Sequence, residues 1–275
     1  MKRRSTTVAA LAVNGLLLLA AVLALFPLLW MLSVSLMPSG AASTYPPPLL
    51  PANPTLAHYR QLILHGGIAT AFANSLGLAI AATLISTLFN TLAGYAFAKL
   101  RFAGRESLFA LLLAALVIPG QVAMLPLFLM LKNLGLVNSW GGVLVPGLAG
   151  IFGIFLVRQY ARGIPDELIE AARMDGAGEF RLFFSVVLPV LKPVLVTLAV
   201  FAFLGSWNDF MWPLIVLTDG DMYTLPVALA SLSREHVQDS ELMMAGAVIT
   251  VLPVLVLFLA LQRYYMQGLL MGSVK

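Results

Sequence analysis

Long apolar segments separated by short polar ones run through the whole chain of 275 residues. A helix needs about 20 predominantly apolar residues to cross a bilayer. Such segments lie near residues 8–36, 71–97, 107–131, 140–160, 186–207 and 242–262. Pro189 and Pro193 interrupt the start of the fifth, which a membrane helix tolerates better than a soluble one. The pattern predicts an all-α integral membrane protein with six transmembrane helices.

The composition agrees with this class. Hydrophobic residues make up 60% of the chain and charged residues 10%, with a mean hydropathy of +0.95, whereas soluble domains carry about 25% charged residues. There is no cysteine, which excludes disulfides and thiolate metal sites. A pI near 9.5 would suggest nucleic acid as the partner of a soluble protein. Here membrane topology accounts for the basic residues, and we expect no nucleic-acid partner.

The distribution of lysine and arginine predicts the orientation. With the N-terminus in the cytoplasm, Arg60, Lys132 and Arg234 fall outside, and the other 13 of the 16 basic residues fall inside. This strong positive-inside bias puts both termini in the cytoplasm. Segments 38–70 and 208–241 are then extracytoplasmic, and segment 161–185 is cytoplasmic.

The basic N-terminus followed by an apolar run also fits a cleaved signal peptide. The run extends from Val8 to about Leu36, however, and a signal core spans about 7–15 residues. We therefore expect an uncleaved first helix.

A charged, amphipathic island interrupts the apolar pattern at residues 158–189. Pro165 suits the first turn of a helix, and Asp166 and Glu167 complement its positive end. Gly176 fits the left-handed position that ends a helix. The predicted apolar face consists of Leu168, Ala171, Ala172 and Met174, and the polar face of Glu167, Glu170 and Arg173.

Two interpretations fit this island. An interfacial helix on lipid headgroups is common, but such helices favour a net basic polar face. Here the acidic and basic residues nearly balance. The charge pattern favours docking against a partner protein.

The island resembles the cytoplasmic coupling segment of ATP-binding-cassette importer permeases. The family pattern is Glu-Ala-Ala, a glycine four residues after the second alanine, and a closing apolar-Leu-Pro. The matching residues are Glu170, Ala171, Ala172, Gly176, Val187, Leu188 and Pro189. Other stretches are similar to the carbohydrate branch, specifically the smaller, maltose-type permease subunit. They are residues 118–126, 135–138, 206–209 and 262–275.

The resemblance implies a single transmembrane permease domain over residues 1–275 of a sugar importer that works by alternating access. Short coupling helices between the fourth and fifth spans would dock on separate ATPase subunits, which bind ATP and Mg; this chain would bind no cofactor. The implied coupling residues are Glu170, Ala171, Ala172, Asp175, Gly176, Leu188 and Pro189, with a further ATPase contact at the tail, Gly272, Ser273, Val274 and Lys275.

The same resemblance implies the partners and the location. They are a second homologous permease subunit, an ATPase pair, an extracytoplasmic sugar-binding protein and the lipid of a bacterial or archaeal cytoplasmic membrane. It also implies that the loop at 208–241 meets the binding protein, whereas its acidic composition alone fits a solvated loop equally well. For the tail, the alternative is a frayed basic end.

A few polar side chains are candidates for a substrate pathway. They are Asn90, Gln121 and Asn208. Intramembrane polar groups are often functional, but they also join helices. Trp207 and Asp209 fit anchoring at the membrane interface as well as sugar contact.

The sequence offers no catalytic constellation. It has no phosphate-binding Gly-x-x-x-x-Gly-Lys-Ser/Thr loop and no spaced histidine cluster for a metal. We therefore expect a transporter subunit and no enzyme. The alternative is a self-sufficient secondary transporter or a small membrane enzyme, but such transporters usually place ionisable groups at mid-membrane. A purely structural scaffold would not explain the patterned island.

Overall fold

A computed structural model describes residues 2–64, 66–235 and 239–271 of the chain. Those residues form helices and no strand, which confirms the predicted all-α class. The α-helices are α1 (Lys2–Ser35), α2 (Ala57–Leu64), α3 (Ile68–Lys99), α4 (Arg105–Ala115), α5 (Met124–Asn133), α6 (Trp140–Leu144), α7 (Ile151–Arg162), α8 (Asp166–Met174), α9 (Glu179–Leu182), α10 (Leu188–Trp207), α11 (Met211–Val216), α12 (Leu225–Glu235) and α13 (Ser240–Met271). Short 3-10 turns lie at Gly120–Ala123, Val145–Gly147 and Gly220–Met222, and a π-helical segment, Phe183–Val187, joins α9 to α10.

Four of the described helical stretches are long and apolar enough to cross a membrane. They are Leu11–Ser35, Ile68–Lys99, Glu179–Trp207 and Ser240–Gln262. Two helix pairs reach this length only together, and each is bent. Arg105–Ala115 meets Gly120–Asn133 at 94°, and Trp140–Gly147 meets Ile151–Arg162 at 43°. The described residues thus provide four spans, or up to six if each bent pair is one span.

The bend in the first pair differs from the single helix predicted over 107–131. Helix α4 ends at Ala115, and Pro119 precedes the next turn with φ −60° and ψ 129°. A proline has no N–H to continue the helical ladder, and it disfavours helical backbone in the residue before it. The segment between Ala115 and Gly120 therefore breaks the span.

The chain packs as two compact units. One comprises Met1–Ala69 with Leu229–Pro253, and the other Thr70–Ala228 with Val254–Lys275. In the first unit, Glu241 is fully buried, and its Oε1 accepts a hydrogen bond from the Ala42 N–H at 2.8 Å. Of the two interpretations of segment 208–241, the solvated loop does not describe Glu241 at its end. This residue lies in the first turn of α13 with its carboxylate bonded to the backbone.

The second unit contains the core that positions the charged island. Buried side chains from α3, α7, the island and α10 form one cluster: Tyr95, Val157, Ala161, Ile164, Ile169, Leu182, Phe183, Val187, Leu191, Val194 and Leu198. Gly94 permits close contact between α3 and α7, since a Cβ there would lie 2.6 Å from the Cβ of Val157. The cluster runs without interruption from the island into α10.

Candidate functional site

Helix α8 forms the centre of the charged island. It begins at Asp166, directly after Pro165, whose ψ of 135° is not helical. Asp166 and Glu167 lie in its first turn and Arg173 in its last, so the charges complement the helix dipole at both ends. The predicted start of this helix is confirmed to within one residue.

The C-terminal end of α8 is a Schellman motif. Gly176 has a φ of +81°, the left-handed conformation predicted from the sequence. Its N–H donates to the carbonyl of Arg173 at 3.0 Å, and the Ala177 N–H donates to that of Ala172 at 3.0 Å. These bonds satisfy carbonyls that the helix end would otherwise leave free. Asp175 precedes Gly176 as an exposed cap residue.

The buried side of α8 differs from the predicted apolar face. Ile169 is the buried residue of this helix, and Ala172 packs half-buried against the same core. Leu168, Ala171 and Met174 are exposed, Met174 by 86%. The correction is a rotation of the helix by about one residue, since Ile169 rather than Leu168 reaches the core.

Two ion pairs hold the ends of α8. The Lys99 ammonium donates to Asp166 Oδ1 at 2.6 Å and to the carbonyl of Ile164 at 2.5 Å. That hydrogen bond and the charge of Lys99 hold the pKa of the Asp166 carboxyl below its usual value. At the other end, Arg173 Nε donates to Glu179 Oε1 at 3.0 Å. Lys99 is almost buried, whereas Asp166 is 75% exposed. Lys99 therefore links the end of α3 to the start of α8.

A third ionic contact lies beside this attachment. Arg158, which is buried in α7, donates to both carboxylate oxygens of Glu106 at 2.9 and 2.7 Å. Its Nε donates to the carbonyl of Phe97 at 3.2 Å, and its guanidinium lies 3.8 Å from the centre of the Phe109 ring. Both bonds to Glu106 come from Nη2, and a planar guanidinium can reach the Phe97 carbonyl through Nε and lie on the Phe109 ring at the same time. Arg158 thereby joins α7 to α4 and to the end of α3.

The remaining predicted coupling residues lie along the same segment. Glu170 and Ala171 are exposed on α8. Leu188 packs half-buried against the core at the start of α10, and Pro189 follows it, exposed. The predicted ATPase-contact tail, Gly272, Ser273, Val274 and Lys275, lies outside the described residues.

Comparison with known proteins identifies the family. Residues 90–270 match the family described as the binding-protein-dependent transport system inner membrane component. The chain belongs to this family. The resemblance to ATP-binding-cassette importer permeases is thereby confirmed, and so is the expectation of a transporter subunit rather than an enzyme.

Individual relatives are similar in sequence over most of the permease. The arabinooligosaccharides transport system permease protein AraQ of Halalkalibacterium halodurans is 37% identical over 278 residues, which cover 100% of both chains. The lactose transport system permease protein LacG of Rhizobium radiobacter is 35% identical over 208 residues, or 76% of each chain. The fold is similar to the crystal structure of a bacterial ABC transporter that imports the acidic polysaccharide alginate. That match has a TM-score of 0.84 at 24% identity, and it covers 95% of the permease and 98% of the other chain.

The three pathway candidates occupy different environments in the permease. Asn90 is buried in α3 with its Oδ1 unpaired. Its amide nitrogen packs closely against Gly153, since a Cβ on that glycine would lie 2.5 Å from the nitrogen. Gln121 is exposed in the turn at the bend after Pro119. Asn208 is exposed, and its amide donates to the Leu204 carbonyl at 2.9 Å. No hydrogen bond among the described residues joins these three, so the structure does not gather them into one site.

A second set of polar residues, missed by the sequence reasoning, fixes the segment after α11. The Asn74 amide donates to the carbonyls of Asp221 and Tyr223 at 2.8 and 3.1 Å. Asn138 Oδ1 accepts from the backbone N–H groups of Thr218 and Asp219, both at 3.0 Å. Asn138 has a positive φ of 57°, and it lies three residues after Gly135, whose φ is also positive. An asparagine near a glycine turn was the signal available in the sequence.

Asp209 is half-buried at the start of this segment. Burial raises the pKa of its carboxyl, and a hydrogen bond from the Trp212 N–H partly offsets the rise. The carboxylate of Asp209 therefore contacts the backbone of the first turn of α11.

Proposed function

We propose that this permease is one of two membrane subunits of an ATP-driven importer of sugars or oligosaccharides. Separate ATPase subunits dock on the segment Glu170–Gly176, and an extracytoplasmic binding protein delivers the substrate. The tail at 272–275 reaches the same ATPase interface. The family assignment supports transport that depends on a binding protein. The two relatives are named for the transport of arabinooligosaccharides and of lactose, which supports the sugar class.

The observation that carries the docking proposal is the division of α8 into two faces. Ile169 anchors one face in the core of the second unit. The opposite side leaves Leu168, Ala171 and Met174 exposed, and Phe180 beyond Gly176 is 82% exposed. Exposed apolar groups on a charged, firmly anchored helix fit a protein partner, because clustered apolar surface marks interaction sites.

The proposed topology follows from the charge distribution. Each bent helix pair counts as one crossing, so the chain crosses a bacterial cytoplasmic membrane six times with both termini inside. Segments 38–70 and 208–241 face the outside and segment 161–185 faces the cytoplasm, within one transmembrane domain over residues 1–275. Asn90, Gln121 and Asn208 stay the candidates for polar contacts along the pathway.

The proposed mechanism is alternating access driven from α8. A partner shifts an equilibrium between two states only through a difference in its binding to them. Closure of the ATPase pair on ATP and Mg supplies that difference. The ATPase surface that binds α8 changes shape on closure, while α8 stays attached to α10. The permease itself binds no nucleotide in this scheme.

Site-specific crosslinking tests the docking surface, and the chain has no cysteine to interfere. Ala171 is the position of choice, because it is exposed while Ala172 is half-buried against the core. A single cysteine at Ala171 is paired with cysteines in the ATPase subunit encoded beside the permease. We expect a crosslink whose yield changes with ATP.

Ala57 provides the matched control, since it is an exposed alanine in α2. A cysteine there should give no crosslink to the ATPase. Equal crosslinking at both positions, or none at position 171 in a folded complex, would contradict docking on α8 and favour a self-sufficient transporter.

A further inference from the structure

The hydroxyl of Tyr95 is buried without a hydrogen-bond partner. Tyr95 lies in the last turns of α3 and is 4% exposed, and no donor or acceptor among the described residues bonds to its hydroxyl. Buried polar groups are normally paired, because an unpaired one loses its bonds to water and gains nothing in return. A tyrosine that keeps its hydroxyl at such a position indicates a partner that arrives in another conformation.

Tyr95 contacts the part of the charged island that follows α8. Its ring centre lies 5.4 Å from that of Phe183, and both rings belong to the cluster beneath α8. Phe183 follows Glu179 by one helical turn, so their side chains share a face of the helix. The charges of Glu179 and Arg173 both act on the Tyr95 hydroxyl. The hydroxyl therefore lies within electrostatic range of the ion pair that joins α8 to α9.

This ion pair leaves one carboxylate oxygen of Glu179 available. Arg173 Nε and Nη2 both contact Oε1 of Glu179, at 3.0 and 2.9 Å. Within the described ranges, no group bonds to Oε2. An ionised carboxylate is a strong acceptor for a hydroxyl, because its charge strengthens the bond. An unpaired donor on α3 and an unpaired acceptor on α9 are therefore separated by a short distance across the same core.

We propose that Tyr95 is a positioning residue for α8 and α9: when the ATPase displaces them, its hydroxyl donates to Glu179 Oε2 and stabilises the displaced position. The proposal rests on the docking of the ATPase on α8 described under the proposed function. Because Arg173 is paired with Glu179, α9 follows α8. The hydroxyl is unpaired in the conformation described here and paired in the displaced one. This difference shifts the equilibrium towards displacement.

Tyr95→Phe removes the hydroxyl and keeps the ring, so it has opposite effects on the two conformations. The conformation described here loses an unpaired buried group, and the unfolding temperature of the permease in detergent should rise by at least about 2 °C. The displaced conformation loses a hydrogen bond to a charged group, which is enough to change the populations about tenfold. ATP hydrolysis stimulated by the binding protein should fall about tenfold in the assembled transporter, with an unchanged KM for ATP.

Two further variants show whether the hydroxyl acts through Glu179. Tyr160→Phe is the matched control, because Tyr160 of α7 is exposed, and it should change neither the unfolding temperature nor the turnover. Glu179→Ala removes the acceptor and should lower the turnover by itself. Adding Y95F to E179A should then cause little further loss, since both changes remove the same bond. The gain in unfolding temperature from Y95F should persist in E179A, because it does not depend on the acceptor.

Three results would overturn the proposal and leave the proposed function intact. An unfolding temperature of Y95F at or below that of the natural chain would show that the hydroxyl already has a partner in this conformation. Undiminished turnover of Y95F would show that the hydroxyl does not stabilise the displaced one. Additive losses in Y95F/E179A would separate Tyr95 from Glu179. If the natural transporter hydrolyses ATP without any response to its binding protein, the proposed function fails, and this inference fails with it.

Discussion

Gly176 offers a way to separate a partner contact from a folding defect. Its φ of +81° lies in the left-handed region, and a Cβ built on it meets nothing within 4 Å. Substitution therefore costs the chain only the backbone penalty, about 1–2 kcal/mol for a residue such as alanine. Asparagine tolerates this conformation better than alanine. The free energy of unfolding should then follow the order Gly, Asn, Ala.

For binding of the ATPase, a docked surface beside Gly176 reverses the order of asparagine and alanine. Each added side-chain atom then meets the partner, and overpacking by such groups costs about 1–3 kcal/mol, which weakens binding about five- to 150-fold. Asparagine is larger than alanine. Retention of the ATPase subunit should therefore follow the order Gly, Ala, Asn, with Gly176→Asp weakest because it also adds a charge.

Thermal unfolding of the purified permease and co-purification of the ATPase with it measure the two orders. Gly40 is the matched control, since its φ is +82° and a Cβ there also meets nothing within 4 Å. Gly40→Ala and Gly40→Asn should show the same backbone penalty without loss of the ATPase. The reasoning is refuted if ATPase retention in the Gly176 variants follows their stability, with asparagine above alanine.

Two further predictions concern packing in the second unit. Gly77 lies against the ring of Trp140, whereas a Cβ on Gly205 meets nothing within 4 Å. Gly77→Ala should destabilise the permease by about 1–3 kcal/mol and Gly205→Ala should not, as measured by thermal unfolding in detergent; equal effects would contradict the packing. Arg158→Lys loses the Nε bond to the Phe97 carbonyl and the guanidinium stack on Phe109, so it should lower stability by at least about 1.5 kcal/mol, while exposed Arg181→Lys should stay within about 0.5 kcal/mol. Similar unfolding temperatures for these two lysine variants would exclude the proposed role of Arg158.

The features that the sequence predicted are local ones. The start of α8 directly after Pro165 and its termination before Gly176 depend on the backbone preferences of those residues, which need no tertiary contact. The pairing of Lys99 with Asp166 and of Arg158 with Glu106 joins residues 67 and 52 positions apart. Charge counting assigned these side chains to the cytoplasmic side, but no local pattern indicates which of them meet.

The buried face of α8 shows the same difference between local features, which the sequence predicts, and long-range contacts, which it does not. Helical periodicity allowed either Leu168 or Ile169 to point inward, since adjacent positions differ by only about 100° around the axis. The attachment of both helix ends decides between them. Lys99 fixes the start of α8 through Asp166 and the Ile164 carbonyl, and Leu182 enters the core after Gly176. With both ends held, Ile169 faces the cluster.

These attachments determine how a displacement of α8 is transmitted to the membrane-spanning helix α10. Ile169 belongs to the same buried cluster as Val187, Leu191 and Leu198, so the core beneath α8 continues along α10. Packed interiors have low compressibility and transmit displacement instead of absorbing it. The π-helical segment Phe183–Val187 is the irregular point between α9 and α10, yet Phe183 and Val187 are themselves buried in the cluster. A displacement of the exposed face of α8 must therefore shift the adjoining end of α10 with it, rather than bend the chain at the π turn.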